Sequence, residues 1–303
     1  MSEITITEGE FRLPDGYPVY QKTWSPNTPP VAKLVHFHGF SDHINNAEVL
    51  FSALAAQGIY CTGIDQRGWG RSASKKSQRG NTGPTPFILA DMASFIKAQQ
   101  TEIHPTLPLF VSGHSMGGGL VATLASTPAY ASLVSSLRGI LLLAPLIGLT
   151  PRQTPSSITV FLGRLAGKLL PHFQLTEEMQ IEYIVRDPRV QKDLKADPLN
   201  HGTGTLEMFA NMLDRTADLS AGRLVLGEGV KSVYLAHGSG DGCTSFDASK
   251  KWFDMQTGGV KEGEKCFKEY EGWSHVLHMD LPENRQLFAD DTARWILEKR
   301  ASA

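Results

Sequence analysis

One serine has surroundings that predict chemistry more clearly than any other residue of the chain. Ser115 lies in Gly113-His114-Ser115-Met116-Gly117, the single match to G-x-S-x-G in the sequence. An apolar run, Leu109-Phe110-Val111, precedes the pentapeptide and a helical pattern begins at Met116, which is the strand–turn–helix context of a nucleophilic serine. Side chains two residues away on either side would collide in such a tight turn, so both positions need glycine. Ser115 is therefore the predicted nucleophile.

A serine hydroxyl needs a base, and the base needs an acid that orients it. In strand–turn–helix enzymes of this kind the chain order is serine, then acid, then histidine. Asp241 follows an apolar run and a glycine-rich turn, and we predict it as the acid in preference to Asp247 and Asp254 in the next helical stretch. His275 comes first after the last predicted strand and is the predicted base. His278, one helical turn later, is predicted to pack nearby or to line the pocket.

The negatively charged oxygen of the tetrahedral intermediate needs two backbone donors, the oxyanion hole. The N–H of Met116, directly after the nucleophile, is one predicted donor. The other is predicted in the loop His38-Gly39-Phe40-Ser41, which follows the first buried run, and we choose the N–H of Phe40. Gly39 lets the backbone approach closely, and the side chain of His38 is expected to brace the loop.

Alternating strand and helix patterns indicate how these residues are positioned. Repeated strand–helix–strand units predict a mostly parallel sheet with helices on both faces. Two N-terminal segments separated by Pro14-Asp15-Gly16 predict an antiparallel hairpin at the sheet edge. The predicted strands are Ile4–Leu13, Pro18–Trp24, Leu34–His38, Tyr60–Asp65, Leu109–Ser112, Gly139–Ala144, Ser232–Ala236 and Cys266–Tyr270, and the predicted helices between them are Asn45–Gln57, Pro84–Gln100 and Met116–Ser126.

The alternation stops between about residues 147 and 229. This stretch has no clear strand pattern, several prolines and apolar helical segments. We predict a helical cap at 147–229, inserted into an α/β core formed by 1–146 and 230–303. Insertions late in such a sheet lie over the strand ends where ligands bind.

Composition excludes several classes of protein. The formal net charge is −2 and no basic stripe is present, so no nucleic-acid partner is expected. Three irregularly spaced cysteines form neither a disulfide framework nor a metal pair, and no metal or cofactor is expected. The N-terminus has no signal-peptide pattern and no apolar run is long enough to span a bilayer, which predicts a soluble protein in a reducing compartment.

Together these motifs resemble the monoglyceride lipases of the α/β-hydrolase superfamily, in the serine aminopeptidase S33/lysophospholipase-like group. The similar strings run in family order over nearly the whole chain. They are His38-Gly39 with Asp42-His43, Asp65-Gln66-Arg67-Gly68-Trp69-Gly70-Arg71-Ser72, Gly113 to Gly118, Gly238-Ser239-Gly240-Asp241 and His275-Val276-Leu277-His278. The resemblance implies an α/β-hydrolase fold with an eight-stranded sheet.

The resemblance also implies an activity and a set of residues. The expected reaction is cleavage of monoacylglycerol to fatty acid and glycerol through an acyl-enzyme, without metal or cofactor. Asp42 and His43 stand where the family has a Glu-His pair near the glycerol-binding end, and His278 is expected on the alcohol side. Cys243 falls close after the predicted acid, where family members often have a thiol, and we predict that its alkylation slows turnover.

Other readings stay open from the residues alone. A lysophospholipase, carboxylesterase or thioesterase would use the same triad, whereas a prolyl aminopeptidase fits the apolar insertion less well. A non-catalytic lipid-binding protein on the same fold is the alternative of another class. The oligomeric state is open.

An apolar stripe in the predicted cap bears on where in the cell the protein acts. Its residues are Ile158, Val160, Phe161, Leu162, Leu165, Ala166, Leu169, Leu170 and Phe173. Packing on the core is one explanation of the stripe, and insertion into a lipid surface is the other. The hypothesis is a cytoplasmic protein that contacts lipid droplets or the endoplasmic reticulum membrane peripherally through this cap.

Overall fold

The computed structural model describes residues 4–154, 156–256, 260, 261 and 263–300, and it is organised around one eight-stranded sheet. The strands lie in the order β1-β2-β4-β3-β5-β6-β9-β10. From β4 to β10 all neighbours are parallel, whereas β1 and β2 are antiparallel. The strands in the described part of the chain are β1 Ile4–Arg12, β2 Pro18–Pro26, β3 Ala32–Phe37, β4 Ile59–Ile64, β5 Leu109–His114, β6 Gly139–Leu143, β7 Gln174–Thr176, β8 Thr203–Thr205, β9 Val233–Gly238 and β10 Lys265–Tyr270.

The predicted N-terminal hairpin is confirmed and forms one edge of the sheet. Its register runs from Ile4 opposite Pro26 to Arg12 opposite Pro18. The turn is closed by the Leu13 N–H, which donates to the Tyr17 carbonyl at 3.0 Å. Gly16 has φ +81°, a conformation that glycine adopts without cost.

Helices cover both faces of the sheet, as predicted, and each face has its own apolar core. Side chains of β3 alternate between them, because successive residues of a strand point to opposite faces. Ala32 and Leu34 join the cluster under α1 and α9, whereas Val35 and Phe37 join the cluster under α2 and α3. The helices are α1 Glu48–Ala56, α2 Thr85–Thr101, α3 Met116–Ser126, α4 Ala131–Ser136, α5 Ser157–Leu169, α6 Pro188–Ala196, α7 Leu206–Ser220, α8 Phe246–Asp254 and α9 Pro282–Lys299.

The chain between β6 and β9 contains α5, β7, α6, β8 and α7, in the position of the predicted insertion. The expectation that this stretch has no strands was wrong, because β7 pairs with β8 antiparallel, with Leu175 opposite Gly204. Strands of three residues are too short to show an alternating pattern in the sequence. The boundaries 147 and 229 stay a prediction. We call the residues between β6 and β9 the cap.

Two further observations concern the cap and the membrane. Within the described ranges, no helix is both long and apolar enough to cross a bilayer. The side chains of Ile158, Val160, Phe161 and Leu162 in the predicted apolar stripe lie outside the described part of the structure.

Candidate active site

Ser115 lies at the turn between β5 and α3, in a backbone conformation that few residues adopt. Its φ is +53° and its ψ is −118°, a strained region for a residue with a Cβ atom. A Cβ on Gly113 would collide with the carbonyl of Gly117, and a Cβ on Gly117 would collide with the carbonyl of Phe37. The two glycines therefore permit the turn, and the amino end of α3 directs free N–H groups and a positive dipole towards Ser115.

Asp241 and His275 meet at the carboxyl end of the sheet, on loops that follow β9 and β10. The Nδ1 of His275 lies 2.7 Å from Oδ2 of Asp241. The other carboxylate oxygen accepts the backbone N–H groups of Cys243 at 2.7 Å and Thr244 at 2.9 Å. An imidazole that donates from Nδ1 keeps Nε2 free to accept a proton. Ser115 and His275 line the same cavity, so the structure brings all three predicted residues to one place.

The electrostatics of this pair suit an acid that stays charged and a base that stays neutral. Burial alone would raise the pKa of Asp241, but the charge of His275 and the hydrogen bonds from His237 and His275 outweigh it and lower the pKa below its usual range. Burial lowers the pKa of His275, and the charge of Asp241 offsets only part of that shift. A neutral imidazole near pH 7 can take a proton from a serine hydroxyl.

The loop after β3 passes directly beside Ser115. A Cβ on Gly39 would lie only 3.2 Å from the Ser115 Cβ. His38 braces this loop, because its Nδ1 bonds the Gly39 carbonyl at 2.8 Å and its Nε2 accepts the Gln66 N–H at 2.9 Å. Phe40 and Met116, whose N–H groups are the predicted oxyanion donors, line one cavity together with Ser115.

The three residues predicted to bind substrate occupy different places. Asp42 lines the cavity that Ser115 and His275 share. Burial would raise the pKa of Asp42, but the imidazole of His114, with its Nδ1 3.9 Å from Oδ2, and the charge of His38 hold the pKa well below its usual range. Neither His43 nor His278 is among the described residues that line the cavity. His43 instead bonds Asp197 of the cap at 2.8 Å, and the His278 ring packs against His114.

Two cavities of similar size meet at Ser115. The polar cavity, of about 480 Å³, opens on the side of His275, and the apolar cavity, of about 490 Å³, extends under α5 and α7. The cavity that we call polar is lined by Asp42, Asn46, Glu177, Glu178, Lys195, Asn200 and His201, together with apolar residues that include Met179, Ile184, Leu194 and Val276. The cavity that we call apolar is lined by Leu146, Leu149, Leu206, Phe209, Met212 and Leu213, together with polar residues that include Arg152, Arg164, Glu177 and Glu178. An amphiphile with one polar and one apolar end fits this arrangement.

Several residues of the site were missed by the sequence reasoning. His237 and Thr244 both contact the Asp241 carboxylate, at 3.0 and 2.8 Å. Glu177 and Glu178 line both cavities from the cap. The sequence offers only weak signals for them, since a histidine near the end of a buried strand and a pair of acids in a loop are common features. Among the described residues, no group of three or more potential metal-ligating side chains is arranged to hold an ion.

Comparisons with known proteins agree with this geometry. The family model described as "Serine aminopeptidase, S33" matches residues 28–282. The chain is 31% identical over 293 residues to the "Putative monoglyceride lipase" of Schizosaccharomyces pombe, covering 92% of this chain and 71% of that protein. It is 28% identical to the monoacylglycerol lipase of Mycolicibacterium smegmatis, covering 98% of this chain and 99% of that one.

A solved structure has the same fold. It is a soluble variant of monoglyceride lipase from Saccharomyces cerevisiae in complex with a substrate analog, with a TM-score of 0.81 and 20% identity over 99% of this chain and 97% of that chain. The predicted α/β-hydrolase fold and the predicted family are therefore confirmed: the chain belongs to the monoglyceride lipase family, within the serine aminopeptidase S33 group of α/β-hydrolases.

Proposed function

We propose that the chain is a serine hydrolase that cleaves monoacylglycerol to glycerol and a free fatty acid. The observation that carries the proposal is the position of Ser115, where a polar and an apolar cavity meet beside the Asp241–His275 pair. The apolar cavity takes the acyl chain and the polar cavity takes the glycerol end. The ester carbonyl then lies between them, next to the serine hydroxyl.

The reaction follows from these positions. The Ser115 hydroxyl attacks the ester carbonyl while His275 Nε2 takes its proton, and the negative oxygen is stabilised by the N–H groups of Phe40 and Met116. His275 returns the proton to the leaving glycerol oxygen, and the acyl-enzyme remains. Water, activated by His275, then hydrolyses the acyl-enzyme and releases the fatty acid. Asp241 holds the imidazole tautomer and stabilises its charged form.

The charges of the polar cavity favour an uncharged head group. Asp42 lines it, Glu177 and Glu178 lie where it meets the apolar cavity, and the ammonium of Lys195, which also lines it, is paired with Glu182. A phosphate placed among these carboxylates would meet repulsion, which is how a site discriminates against an unwanted ligand. We therefore expect monoacylglycerols to be cleaved in preference to lysophospholipids with an anionic head group.

The proposal is tested with a fluorophosphonate probe and a substrate panel. Wild type is expected to be labelled, and the label is expected to disappear in Ser115→Ala. The panel compares monoacylglycerols, lysophospholipids, thioesters and short esters, with hydrolysis of monoacylglycerol fastest. A folded wild type that takes no label would contradict catalysis and leave a lipid-binding protein. Faster cleavage of anionic lysophospholipids would contradict the substrate assignment.

We also propose that the insertion 147–229 acts as a cap that contacts a lipid surface. Three apolar side chains in the second half of α5 and the loop after it are exposed, with 49% of Leu165, 74% of Leu169 and 54% of Phe173 accessible to solvent. The α5 residues Thr159 and Gly163 also line the apolar cavity. An apolar surface beside the cavity of the acyl chain suits a substrate that lies in a membrane.

Liposome flotation tests this contact. With phosphatidylcholine vesicles, Leu169→Ser/Phe173→Ser is expected to float less than wild type. The matched control is Val49→Ser, since Val49 is 55% exposed on α1, away from the cap. Equal flotation of the double variant and wild type, with equal melting temperatures, would contradict the contact. In cells we expect a cytoplasmic protein that associates peripherally with lipid droplets or the endoplasmic reticulum membrane.

A further inference from the structure

His237 lies in β9 and has no role in the proposed reaction. Its ring contacts the same carboxylate oxygen of Asp241 that His275 contacts. Its Nε2 lies 3.0 Å from Asp241 Oδ2, and both side chains are completely enclosed. The turn from Gly238 to Asp241 returns the chain onto the end of β9, with the Asp241 N–H 3.2 Å from the Gly238 carbonyl. The His237 ring also packs edge-on against Phe246. His237 is therefore fixed in place beneath the predicted acid.

The surroundings of His237 determine which of its nitrogens carries the proton. A carboxylate oxygen only accepts, so the short contact to Asp241 requires a proton on Nε2. Among the described residues, Nδ1 has no hydrogen-bond partner. A second proton there would bury an unpaired charged donor, which is costly. The geometry therefore assigns Nε2 as the nitrogen of His237 that donates to Asp241.

Oδ2 of Asp241 is crowded with donors. His275 Nδ1 lies at 2.7 Å, Thr244 Oγ1 at 2.8 Å and His237 Nε2 at 3.0 Å. A carboxylate oxygen offers two lone pairs, so three donors share its negative charge. The bond that His275 makes to this oxygen consequently depends on what His237 donates.

We propose that His237 is a positioning residue for the hydrolysis: it donates a hydrogen bond to Asp241, fixes the carboxylate beneath His275 and limits how strongly the carboxylate supports the imidazolium. The inference rests on the proposed function, because it acts through His275. Without the donor, Oδ2 keeps more negative charge and stabilises the protonated form of His275. It also loses one of the contacts that hold it in place.

Other titratable groups face the pair and must stay unchanged in any test. His114, the last residue of β5, has its ring centre 4.8 Å from that of His275. The charge of His275 contributes to lowering the pKa of His278 in the same loop. Both remain in the variants chosen below, so that a change in the pH profile reports on His237.

Two variants separate the hydrogen bond from the packing of the ring. His237→Leu removes the donor at similar volume, and His237→Gln returns an N–H near the position of Nε2. The rate of p-nitrophenyl butyrate hydrolysis is measured across pH. For His237→Leu we expect kcat to fall about tenfold to a hundredfold with KM unchanged, because the carboxylate is no longer held beneath His275 and this loss of positioning outweighs its stronger support of the imidazolium.

The pH profile gives the decisive readout. The acidic limb of kcat/KM in His237→Leu is expected to move to higher pH, because hydrolysis needs neutral His275 and its protonated form is now favoured. His237→Gln is expected to recover most of kcat and to return the limb towards its original pH. The control is His36→Leu, since His36 is buried in β3 and bonds Ser112 at 2.8 Å. It is expected to lower the melting temperature and to leave the limb in place.

Several outcomes would overturn the inference. A folded His237→Leu with the kcat and limb of wild type excludes a positioning role, and a His237→Gln that is as slow as His237→Leu makes the role one of packing. If the leucine variant does not fold, ¹⁵N NMR of the wild-type histidines decides, and a protonated Nδ1 on His237 would contradict the proposal. If the variants contradict the role of His237, fluorophosphonate labelling of wild type would still support a catalytic serine. An unlabelled wild type would overturn both the proposed function and the inference.

Discussion

Two segments of the cap differ sharply in how they are attached to the core. Residues 181–202, the anchored segment, are tied to the loop of the predicted base: the Val276 N–H donates to the Ile184 carbonyl at 3.0 Å, and Arg186 bonds Asp280 at 2.8 and 2.5 Å. Residues 157–175, the apolar segment, contact the neighbouring helix α7 and leave Leu169 and Phe173 exposed. One insertion thus supplies both a fixed wall of the polar cavity and a free apolar surface.

The two segments differ in attachment because the ion pair of the anchored segment includes a buried charge, whereas the ion pair of the apolar segment is exposed. Asp280 is completely buried, and Arg186 is its bidentate partner. In the apolar segment, Arg164 pairs with Asp214 of α7, but both side chains are about half exposed. A buried ion is expensive to leave unpaired, whereas an exposed pair contributes little.

The largest expected change in stability comes from replacing Arg186, with Arg164 as its control. Arg186→Ala should lower the free energy of unfolding by about 3 kcal/mol, because it leaves the Asp280 carboxylate buried with, among the described residues, Asn284 as its one side-chain donor. Arg164→Ala, the matched control, should change it by less than about 0.5 kcal/mol. Urea unfolding measures both. Equal losses would remove the distinction between the two segments.

A second prediction concerns Cys243, which lines the apolar cavity that α5 covers. Burial, together with the charge of Asp241, raises the pKa of this thiol to about 12. We therefore expect slow alkylation at neutral pH, because the thiolate is the reactive form. Once Cys243 is alkylated, hydrolysis of long-chain esters should fall more than that of acetate esters, since the added group fills the acyl cavity.

Mass spectrometry and a substrate series check this expectation. Cys243→Ser is the control and should keep its rates in the presence of the reagent. Full modification of Cys243 with unchanged turnover of long-chain esters would contradict the role of the thiol and the assignment of this cavity to the acyl chain.

A third, smaller effect involves His201 of the anchored segment, which stacks on Trp69 with ring centres 5.1 Å apart. Burial, with a contribution from the charge of Arg79, lowers the pKa of His201 to about 4. The unfolded chain therefore binds a proton more readily, so this residue's contribution to stability is complete above pH 6.5 and is lost as the pH falls towards 4.

Urea unfolding between pH 7 and pH 4 tests the sign. The free energy of unfolding should fall with acidification, and His201→Phe, which keeps an aromatic ring on Trp69, should show a shallower fall. A slope equal to that of wild type would mean that His201 keeps its ordinary titration in the folded protein.

The smallest effect is expected in the apolar segment itself. Leu169→Ser should change the free energy of unfolding by no more than about 0.5 kcal/mol, because the side chain is 74% exposed. Ile184→Ser in the anchored segment should cost several times more, since Ile184 is buried against Val276. Comparable losses would show that the leucine packs on the protein in solution.

Much of the molecule could be predicted because local rules fix it. The motif Gly113 to Gly117 requires its turn, since only glycine avoids the backbone carbonyls that close it. Buried parallel strands and amphipathic helices show a characteristic periodicity, so the eight strands of the main sheet and the helices α1, α2 and α3 were expected at their places along the chain. Ser115, Asp241 and His275 were expected to meet because each follows a strand whose carboxyl end lies at the same edge of the sheet.

Other features depend on contacts between distant parts of the chain. His43 was expected near glycerol but lies against Asp197, 154 residues away, and His237 reaches Asp241 only because a turn returns the chain onto β9. The strands β7 and β8 are too short to be recognised without each other. Local sterics and periodicity are enough to predict Ser115 as the nucleophile, the chain order of the predicted triad and the layered fold. Which part of the cap is anchored, where the two cavities meet and which groups contact the Asp241 carboxylate depend on packing between distant segments, so they become visible in the folded chain alone.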